Sequence, residues 1–320
     1  MKFTIVIPTY NGSAYIEEAL LSAINQTRKA DAIIVSDDNS MDNTLEICSR
    51  YKDIVRIHKN ENGPSGFVNG WNNAIRLVDD GFIAILHQDD LLAPTFLEEA
   101  EKALEANPGV KHFFVPCNYV DGEGKVKRAP DYCDGSTHRY SCIEYADAYR
   151  VVGSPHIHRC PGVITHRSIF DVCQYRAEAG HIADDDFFYR VGQYTDVVGI
   201  LKPLASYREH EKSETGHLEN IKLVSRLADD YLFQVEDSLD KPFPHEELKT
   251  YFKEKARYFV TQYLILSLKL NDSVELKKAV ENWKHMIQLG VGPSLKGRLI
   301  YMCFKAFGRQ ITQKIIKIVG

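Results

Sequence analysis

The chain has no C-x-x-C pair and no apolar run near the length of a membrane span. No G-x-G-x-x-G turn follows its first apolar segment, and no acidic residue occurs from Trp283 to Gly320. Each absence excludes something. The seven cysteines (Cys48, Cys117, Cys133, Cys142, Cys160, Cys173 and Cys303) are scattered and odd in number. That argues against a disulfide framework or a zinc site and for free thiols in a reducing compartment. With no stretch of ~18 uninterrupted apolar residues, no transmembrane helix is expected. The apolar run in MKFTIVIPTYNG is stopped by Pro8, too early for a secretory signal, so a cytoplasmic location is expected. The missing glycine motif speaks against a dinucleotide-binding dehydrogenase. A net charge of −5 gives no reason to expect a nucleic-acid partner. What remains is a globular composition, 44% hydrophobic and 26% charged, on 320 residues. That length suffices for one large domain or two smaller ones.

From residue 1 to about 110, short apolar runs alternate with segments of helical spacing. KFTIVIPTY, DAIIVSDDNS, IVRIHKN and FIAILHQDD read as strands. SAYIEEALLSAINQT, MDNTLEICSRY and GFVNGWNNAIRLV read as helices, the first with Ser13 as its cap. This β-α-β-α rhythm predicts a parallel sheet covered by helices. Polar residues follow the C-terminal ends of the strands, where open α/β sheets bind ligands. From 111 to 215 the pattern loosens: HFFVPCNYVDGEGKV reads as a hairpin, SIFDVCQY and DDDFFYRVGQY as helices, VVGILKPLASYREH as a strand. Residues 216–320 read as a helical C-terminal region. Its last part, 295–320, interleaves Lys296, Arg298, Lys305, Arg309, Lys314 and Lys317 with apolar residues. Such a segment either lies on an anionic membrane surface or packs its apolar face on the body.

One stretch concentrates chemistry. GFIAILHQDDLLAP carries an apolar strand into His87, Gln88, Asp89 and Asp90. Adjacent carboxylates repel, so a cation belongs nearby. Mg²⁺ and Mn²⁺ take oxygen ligands, commonly one or two carboxylates plus substrate phosphates. The alternative for Asp90 is a cap on the helix after Pro94. SDDNSMDNT (Ser36 to Thr44) and PTYN (Pro8 to Asn11) put further polar clusters at the ends of earlier strands.

Together with NENGPSGFVNGWNNAI, these segments resemble, in order, the family 2 glycosyltransferases of the GT-A fold. The resemblance spans about residues 1–215 and implies an α/β nucleotide-diphospho-sugar transferase fold with a mostly parallel central sheet. It divides that domain into a nucleotide-binding half, 1–110, and an acceptor and catalytic half, 111–215. It implies an inverting glycosyltransferase, using Mn²⁺ or Mg²⁺, that moves a sugar from a nucleotide diphosphate to a hydroxyl. UDP is the nucleotide that the resemblance favours, with dTDP and GDP as alternatives. The acceptor it implies is a glycan or lipid-linked hydroxyl in surface polysaccharide synthesis, at the inner face of the plasma membrane.

Carried over residue by residue, Pro8, Thr9, Tyr10 and Asn11 lie beside the nucleotide, Asp38 binds its base, and Ser40 and Asp42 brace the loop. Asn69, His87, Gln88 and Asp90 belong to the donor site, with His87 standing where the family often has its first Asp. Trp71 in the same region reads as core, the usual place of an aromatic inside a helical segment. Asp89 matches the metal-binding acid of the D-x-D element. In HIADDDFFYRVGQY, the family's base lies six residues before Arg190, which gives Asp184, with Asp185 as the fallback because Ala183 replaces the usual Glu. Three acids at a helix start also suit the helix dipole. SYREHEKS resembles the element in which His210 completes the metal shell and Arg208 and Ser213 face the diphosphate. His156, His158, His166 and His181 are candidates for the acceptor side. Two other readings remain: a sugar nucleotidyltransferase, disfavoured because PTYNGSAYIEE has no basic glycine-rich loop, and a catalytically silent GT-A scaffold.

Overall fold

The first strand, β1 (Phe3–Thr9), is buried along its whole length, as a strand covered on both faces must be. In a computed structural model, which describes residues 1–151, 159–210, 220–241, 246–270 and 272–319, the chain forms two units. The first comprises Met1–Ala177 and Ala183–Ser213, the second Glu178–Ile182 and Glu214–Gly320.

In the first unit β1 pairs in parallel with β2 (Ala32–Asp37) and β4 (Phe82–Ile85), and β2 with β3 (Arg56–Lys59). Parallel neighbours need a crossover, here α1 (Ile16–Ile24), α2 (Thr44–Ser49) and α3 (Phe67–Arg76). Beyond β4 come β5 (Leu91–Leu92), α4 (Phe96–Ala106), β6 (His112–Phe114), β7 (Cys117–Val120), β8 (Val126–Arg128), β9 (Thr137–Tyr140) and α5 (Cys142–Val151). Then follow β10 (Val163–His166), α6 (Ala183–Val191), β11 (Val197–Ile200) and β12 (Ala205–Arg208). The eight-stranded sheet runs β3-β2-β1-β4-β10-β6-β11-β9, and a four-stranded sheet runs β5-β12-β7-β8. The core joins β1, β4 and β6 to Ile16, Leu20, Phe96, Leu97 and Leu104 from α1 and α4.

The parallel half agrees with the sequence pattern, and the rest departs from it for local reasons. β10 runs antiparallel to both β4 and β6, pairing Ile164 with Ala84 and His166 with Phe82. The segment just before β10 therefore arrives at the end of the sheet that the β4 loop leaves from. Of HFFVPCNYVDGEGKV only β7 and β8 form the hairpin, because Phe113 and Phe114 are buried in the large sheet. Asp121 closes its turn by accepting from the N–H groups of Glu123 and Lys125. VVGILKPLASYREH is two strands in two sheets, separated at Lys202-Pro203. SIFDVCQY is a single 3-10 turn over Arg167–Ile169 rather than a helix. Ser13 does not cap α1; its N–H donates to Asp42, and the N-cap position is Tyr15.

The second unit holds α7 (Ile221–Ser238), α8 (Glu246–Leu270), α9 (Ser273–Gln288) and α10 (Leu295–Val319). Asn220 and Asp272 cap α7 and α9 by accepting backbone N–H groups. Tyr231 stacks on Phe259 at 5.3 Å, and the buried Trp283 stacks on Tyr301 at 5.0 Å. Gly308 (φ 70°, ψ −176°) interrupts α10. Among the described residues, no helix is long and apolar enough to cross a membrane.

Gly199 of β11 lies opposite Phe114, and a methyl group there would fall within the Phe114 ring's contact radius. Gly199→Ala is expected to destabilise the protein by about 1–3 kcal/mol through overpacking, measurable as a lower urea midpoint.

Candidate functional site

The loop after β4 carries four polar residues, and each meets a different partner. Gln88 turns back to the end of β1, its Oε1 accepting from Thr9 Oγ1 (2.6 Å) and Tyr10 N–H (2.9 Å). It thereby fixes the turn in which Pro8 is paired with Ser36 of β2 and Asn11 adopts a positive φ of 50°. Asn11 N–H donates to Ser40 Oγ, and Asn11 Oδ1 accepts from Met41 N–H. Asp42 accepts from the N–H groups of Ser13 and Thr44 and from the Thr44 hydroxyl. Burial pushes the Asp42 pKa up, but those bonds outweigh it and hold it at about 2. Its carboxylate braces the loop as expected; the N-cap of α2 is Asn43, without a side-chain bond.

Asp38, expected against a nucleotide base, is buried and clamps the next loop. It accepts from Asn60 Nδ2 (2.7 Å), Ser65 N–H (2.6 Å) and Ser65 Oγ (3.0 Å). Asn69, exposed on α3, donates to Ser65 O at 3.0 Å. These residues form one network at the C-terminal ends of β1 and β2.

Asp89 and Asp90 diverge. Asp90 is fully buried and accepts from Arg208 N–H at 2.9 Å; it does not cap α4, whose N-cap is Thr95. His87 Nδ1 lies 3.6 Å from its other oxygen. Burial raises the Asp90 pKa to about 6, and the Asp89 charge adds to the rise while His87 and the Arg208 N–H oppose it. For His87, burial disfavours the imidazolium, but Cys160 and Asp90 outweigh burial and hold its pKa well above 6.5. The ring stacks on Trp71 at 5.0 Å and 19°. Trp71 is half-buried, and its ring face covers the His87 imidazole. Asp89 points the other way, and His210 Nε2 donates to its Oδ2 at 2.9 Å across 121 residues of sequence. Tyr15 lies against the His210 ring at 4.8 Å.

Arg208 departs from its expected place. Its side chain is fully buried and its donors are engaged: Nε to Asp89 O (2.8 Å), Nη1 to Gly122 O (2.8 Å), Nη2 to Glu18 (2.7 Å). The guanidinium also sits 4.7 Å from the Tyr15 ring centre. A group so enclosed holds the loop together and does not face a diphosphate. Ser213, His156 and His158 lie outside the described residues.

The three acids of α6 sit about 100° apart around the helix, so they meet three environments. Asp186 is buried and paired with Arg176 and Arg190. Asp185 is buried, and its charge bears on the Tyr145 hydroxyl. The charges of Arg159 and His87 act on Asp184, and its own charge acts on the Tyr175 hydroxyl. Burial is the largest cause that raises its pKa to about 6; the Asp185 charge adds, while Arg159, the Asp185 N–H and His87 lower it. Tyr175 touches Trp71 (5.3 Å) and Phe187 of α6 (4.4 Å), closing an aromatic path from α6 to His87. Asp184 and the β4 loop therefore share one locality. His166 instead accepts from Ser168 N–H beside its own 3-10 turn, and His181 belongs to the second unit, bound to Asp230.

Arg159, Cys160 and Tyr175 carried no assigned role in the sequence pattern. Arg159 Nε donates to Tyr119 OH at 3.2 Å while its charge reaches Asp184. A signal existed in RCPG, the segment leading into β10, but only the antiparallel direction of β10 turns it into a site residue. Among the described residues, no group of three or more His, Cys, Asp or Glu side chains is arranged to hold a metal ion.

The model of the family described as Glycosyl transferase family 2 matches residues 4–171. Over 130 residues the chain is 31% identical to a GalNAc(5)-diNAcBac-PP-undecaprenol beta-1,3-glucosyltransferase of Campylobacter jejuni, covering 40% of this chain and 41% of that protein. It is 30% identical over 107 residues to the Staphylococcus aureus poly(ribitol-phosphate) beta-N-acetylglucosaminyltransferase TarS, covering 31% and 18% respectively. The chain thus spans less than half the length of these curated relatives. The crystal structure of TarS 1–349 matches with TM-score 0.65 and 15% identity, over 99% of this chain and 90% of that one. The mannosyltransferase PcManGT from Pyrobaculum calidifontis, solved with GDP-Man and Mn²⁺, matches with TM-score 0.55 and 20% identity over 99% and 83%. At these identities the two structures show the shared GT-A fold.

Removing the buried Asp186 carboxylate leaves the partly buried Arg176 and Arg190 guanidiniums without the anion they share. Asp186→Ala is expected to cost about 3–5 kcal/mol, read as a lowered denaturation midpoint.

Proposed function

The chain belongs to glycosyl transferase family 2, and from that premise we propose that it transfers a sugar, with inversion, from a nucleotide diphosphate to an acceptor hydroxyl. The observation that carries the reading is the 2.9 Å contact between Asp89 of the β4 loop and His210, with the half-buried Asp184 within electrostatic reach of His87 of that same loop. The nucleotide proposed is UDP, because TarS structures hold UDP and UDP-GlcNAc; dTDP and GDP are the alternatives, GDP-Man being bound in PcManGT. The acceptor proposed is a glycan or lipid-linked hydroxyl in bacterial surface-polysaccharide synthesis, on the strength of the undecaprenol-linked and ribitol-phosphate acceptors in the relatives' names.

Asp89 and His210 are the residues proposed to hold Mn²⁺ or Mg²⁺. One carboxylate oxygen and one imidazole nitrogen are too few to cage an ion, and fit one completed by water and donor phosphate oxygens. When bound, the ion supplies charge neutralisation for the departing diphosphate. The chain does the remainder. Thr9, Tyr10 and Asn11, held by Gln88 and Ser40, form the edge proposed to receive the nucleotide, with Asp38 and Asn69 fixing its neighbouring loop. His87 and Asp90, backed by Trp71, bound the sugar end. Arg208 acts by positioning: it holds Asp89 through the Asp89 carbonyl and leads directly to His210.

Asp184 is the proposed base, and its environment supports it over Asp185, because Asp184 is half-exposed whereas Asp185 is buried. The Asp184 carboxylate takes the proton of the acceptor hydroxyl while that oxygen attacks the anomeric carbon. The bond from that carbon to the diphosphate oxygen breaks, and the nucleotide diphosphate leaves with the electron pair. A carboxylate with a pKa near 6 is ionised at neutral pH yet a stronger base than an ordinary aspartate.

Four outcomes test this. With nucleotide-sugar donors screened for nucleotide release, transfer should fall as pH drops through about 6, where Asp184 takes up its proton. Asp184→Asn should retain donor affinity and lose transfer by about 10²–10⁴-fold; normal turnover would place the base elsewhere. A folded-state pKa raised above 3.8 makes ionised Asp184 a cost to stability above pH 6, so the same variant should also melt higher at pH 8. Asp89→Ala should abolish the Mn²⁺-dependent part of nucleotide binding in calorimetry, and retention of that part would remove Asp89 from the metal site.

A further inference from the structure

The segment before Gly308 in α10 has two apolar faces, and only one is covered. At about 100° per residue, Gly297, Ile300, Tyr301 and Phe304 fall on one side. Gly297 and Ile300 are buried, and Tyr301 stacks on Trp283. On the opposite side Leu295, Leu299, Met302 and Ala306 form a stripe at i, i+4, i+7 and i+11. Leu295 is 76% exposed, Leu299 54% and Met302 58%, and Phe307 at the end of the segment is 60% exposed. Exposed leucines scattered singly are ordinary, whereas a contiguous stripe facing water marks an interaction surface. The usual amphipathic helix puts its polar residues there.

The flanks identify the partner. Arg298 and Lys305 border the stripe on one side and Lys296 on the other, all three exposed. The last acidic residue of the chain is Glu281, so nothing in α10 offsets these charges. A second copy of the chain on this face would set the same three cations against themselves. An anionic lipid surface meets both requirements at once, taking the apolar stripe among its acyl chains and the basic rims at its headgroups. Beyond Gly308 the chain stays anchored: Arg309 donates to the carbonyls of Ser267 and Leu268, and Gln313 to that of Leu268, while Thr312 and Ile316 are buried. The tail's packing and its free stripe thus belong to different faces of one element.

We propose that the outer face of 295–307 binds anionic membrane lipid in the plane of the bilayer. This goes beyond the transferase reading and is read by lipid binding alone, so the two fail separately. The test is co-sedimentation of the full chain with vesicles of phosphatidylglycerol and phosphatidylcholine in equal parts, against vesicles of phosphatidylcholine only. Binding to the anionic vesicles should be at least about tenfold tighter and should weaken as salt shortens the Debye length. Lys296→Glu/Arg298→Glu/Lys305→Glu should lose about a hundredfold, since each basic residue near the surface contributes roughly fivefold. Leu299→Ser/Met302→Ser should lose about tenfold by removing apolar burial. Unchanged far-UV circular dichroism and melting temperature of both variants show that they fold. Equal binding to both vesicles, no binding to either, or variants that bind like the parent would overturn the proposal. So would a dimer in light scattering that Leu299→Ser/Met302→Ser disperses, which would make the stripe a self-interface.

Discussion

A single buried cation organises the proposed active site. Burying an arginine is costly unless every donor finds a partner, and Arg208 finds them in three places. Its guanidinium joins the Asp89 carbonyl, the turn at Gly122 and Glu18 of α1, while its own N–H holds Asp90. The planar fork suits this, because a lysine could not donate in three fixed directions. His210 lies two residues further on, so the same anchor that sets the β4 loop also sets the imidazole against Asp89. Two distant parts of the sequence are brought together by one group.

Identical residue types then diverge by environment. Asp184, Asp185 and Asp186 are consecutive, yet one feels the charges of Arg159 and His87, one acts on the Tyr145 hydroxyl, and one is locked between two arginines. Asp89 and Asp90 divide similarly, one toward His210 and one toward Arg208 and His87. Helix and loop geometry makes this separation, since neighbours in sequence point in different directions. Two carboxylates, Asp90 and Asp184, are raised to about 6 chiefly by burial. Perturbed acids of that kind gather where a protein gives up stability for chemistry.

The parallel half of the fold was legible because its signals are local. An apolar run followed by PTYN, SDDN or HQDD reads as a strand end, and parallel strands send all their ends to one edge. The same logic failed beyond residue 110. Nothing in VITH states that β10 runs the other way, so Arg159 and Cys160 went unassigned, as did Tyr175. Nor does SYREHEKS distinguish a buried structural arginine from one facing a ligand; that depends on Glu18 and Gly122, far off in the chain. The Ser13 cap failed for a similar reason, because Asp42 from the next loop competes for its N–H.

The reversed strand has a consequence for how this chain tolerates length changes. In the parallel strands, residues added after the strand lengthen a ligand loop, and residues added before it emerge at the far rim. For β10 the polarity is inverted: an extra residue ahead of Cys160 would shift Arg159 relative to Asp184. One placed after His166, beside Gly81 at the other rim, would leave both where they are. Length changes that would move Arg159 are thereby channelled upstream of this strand, opposite to its parallel neighbours.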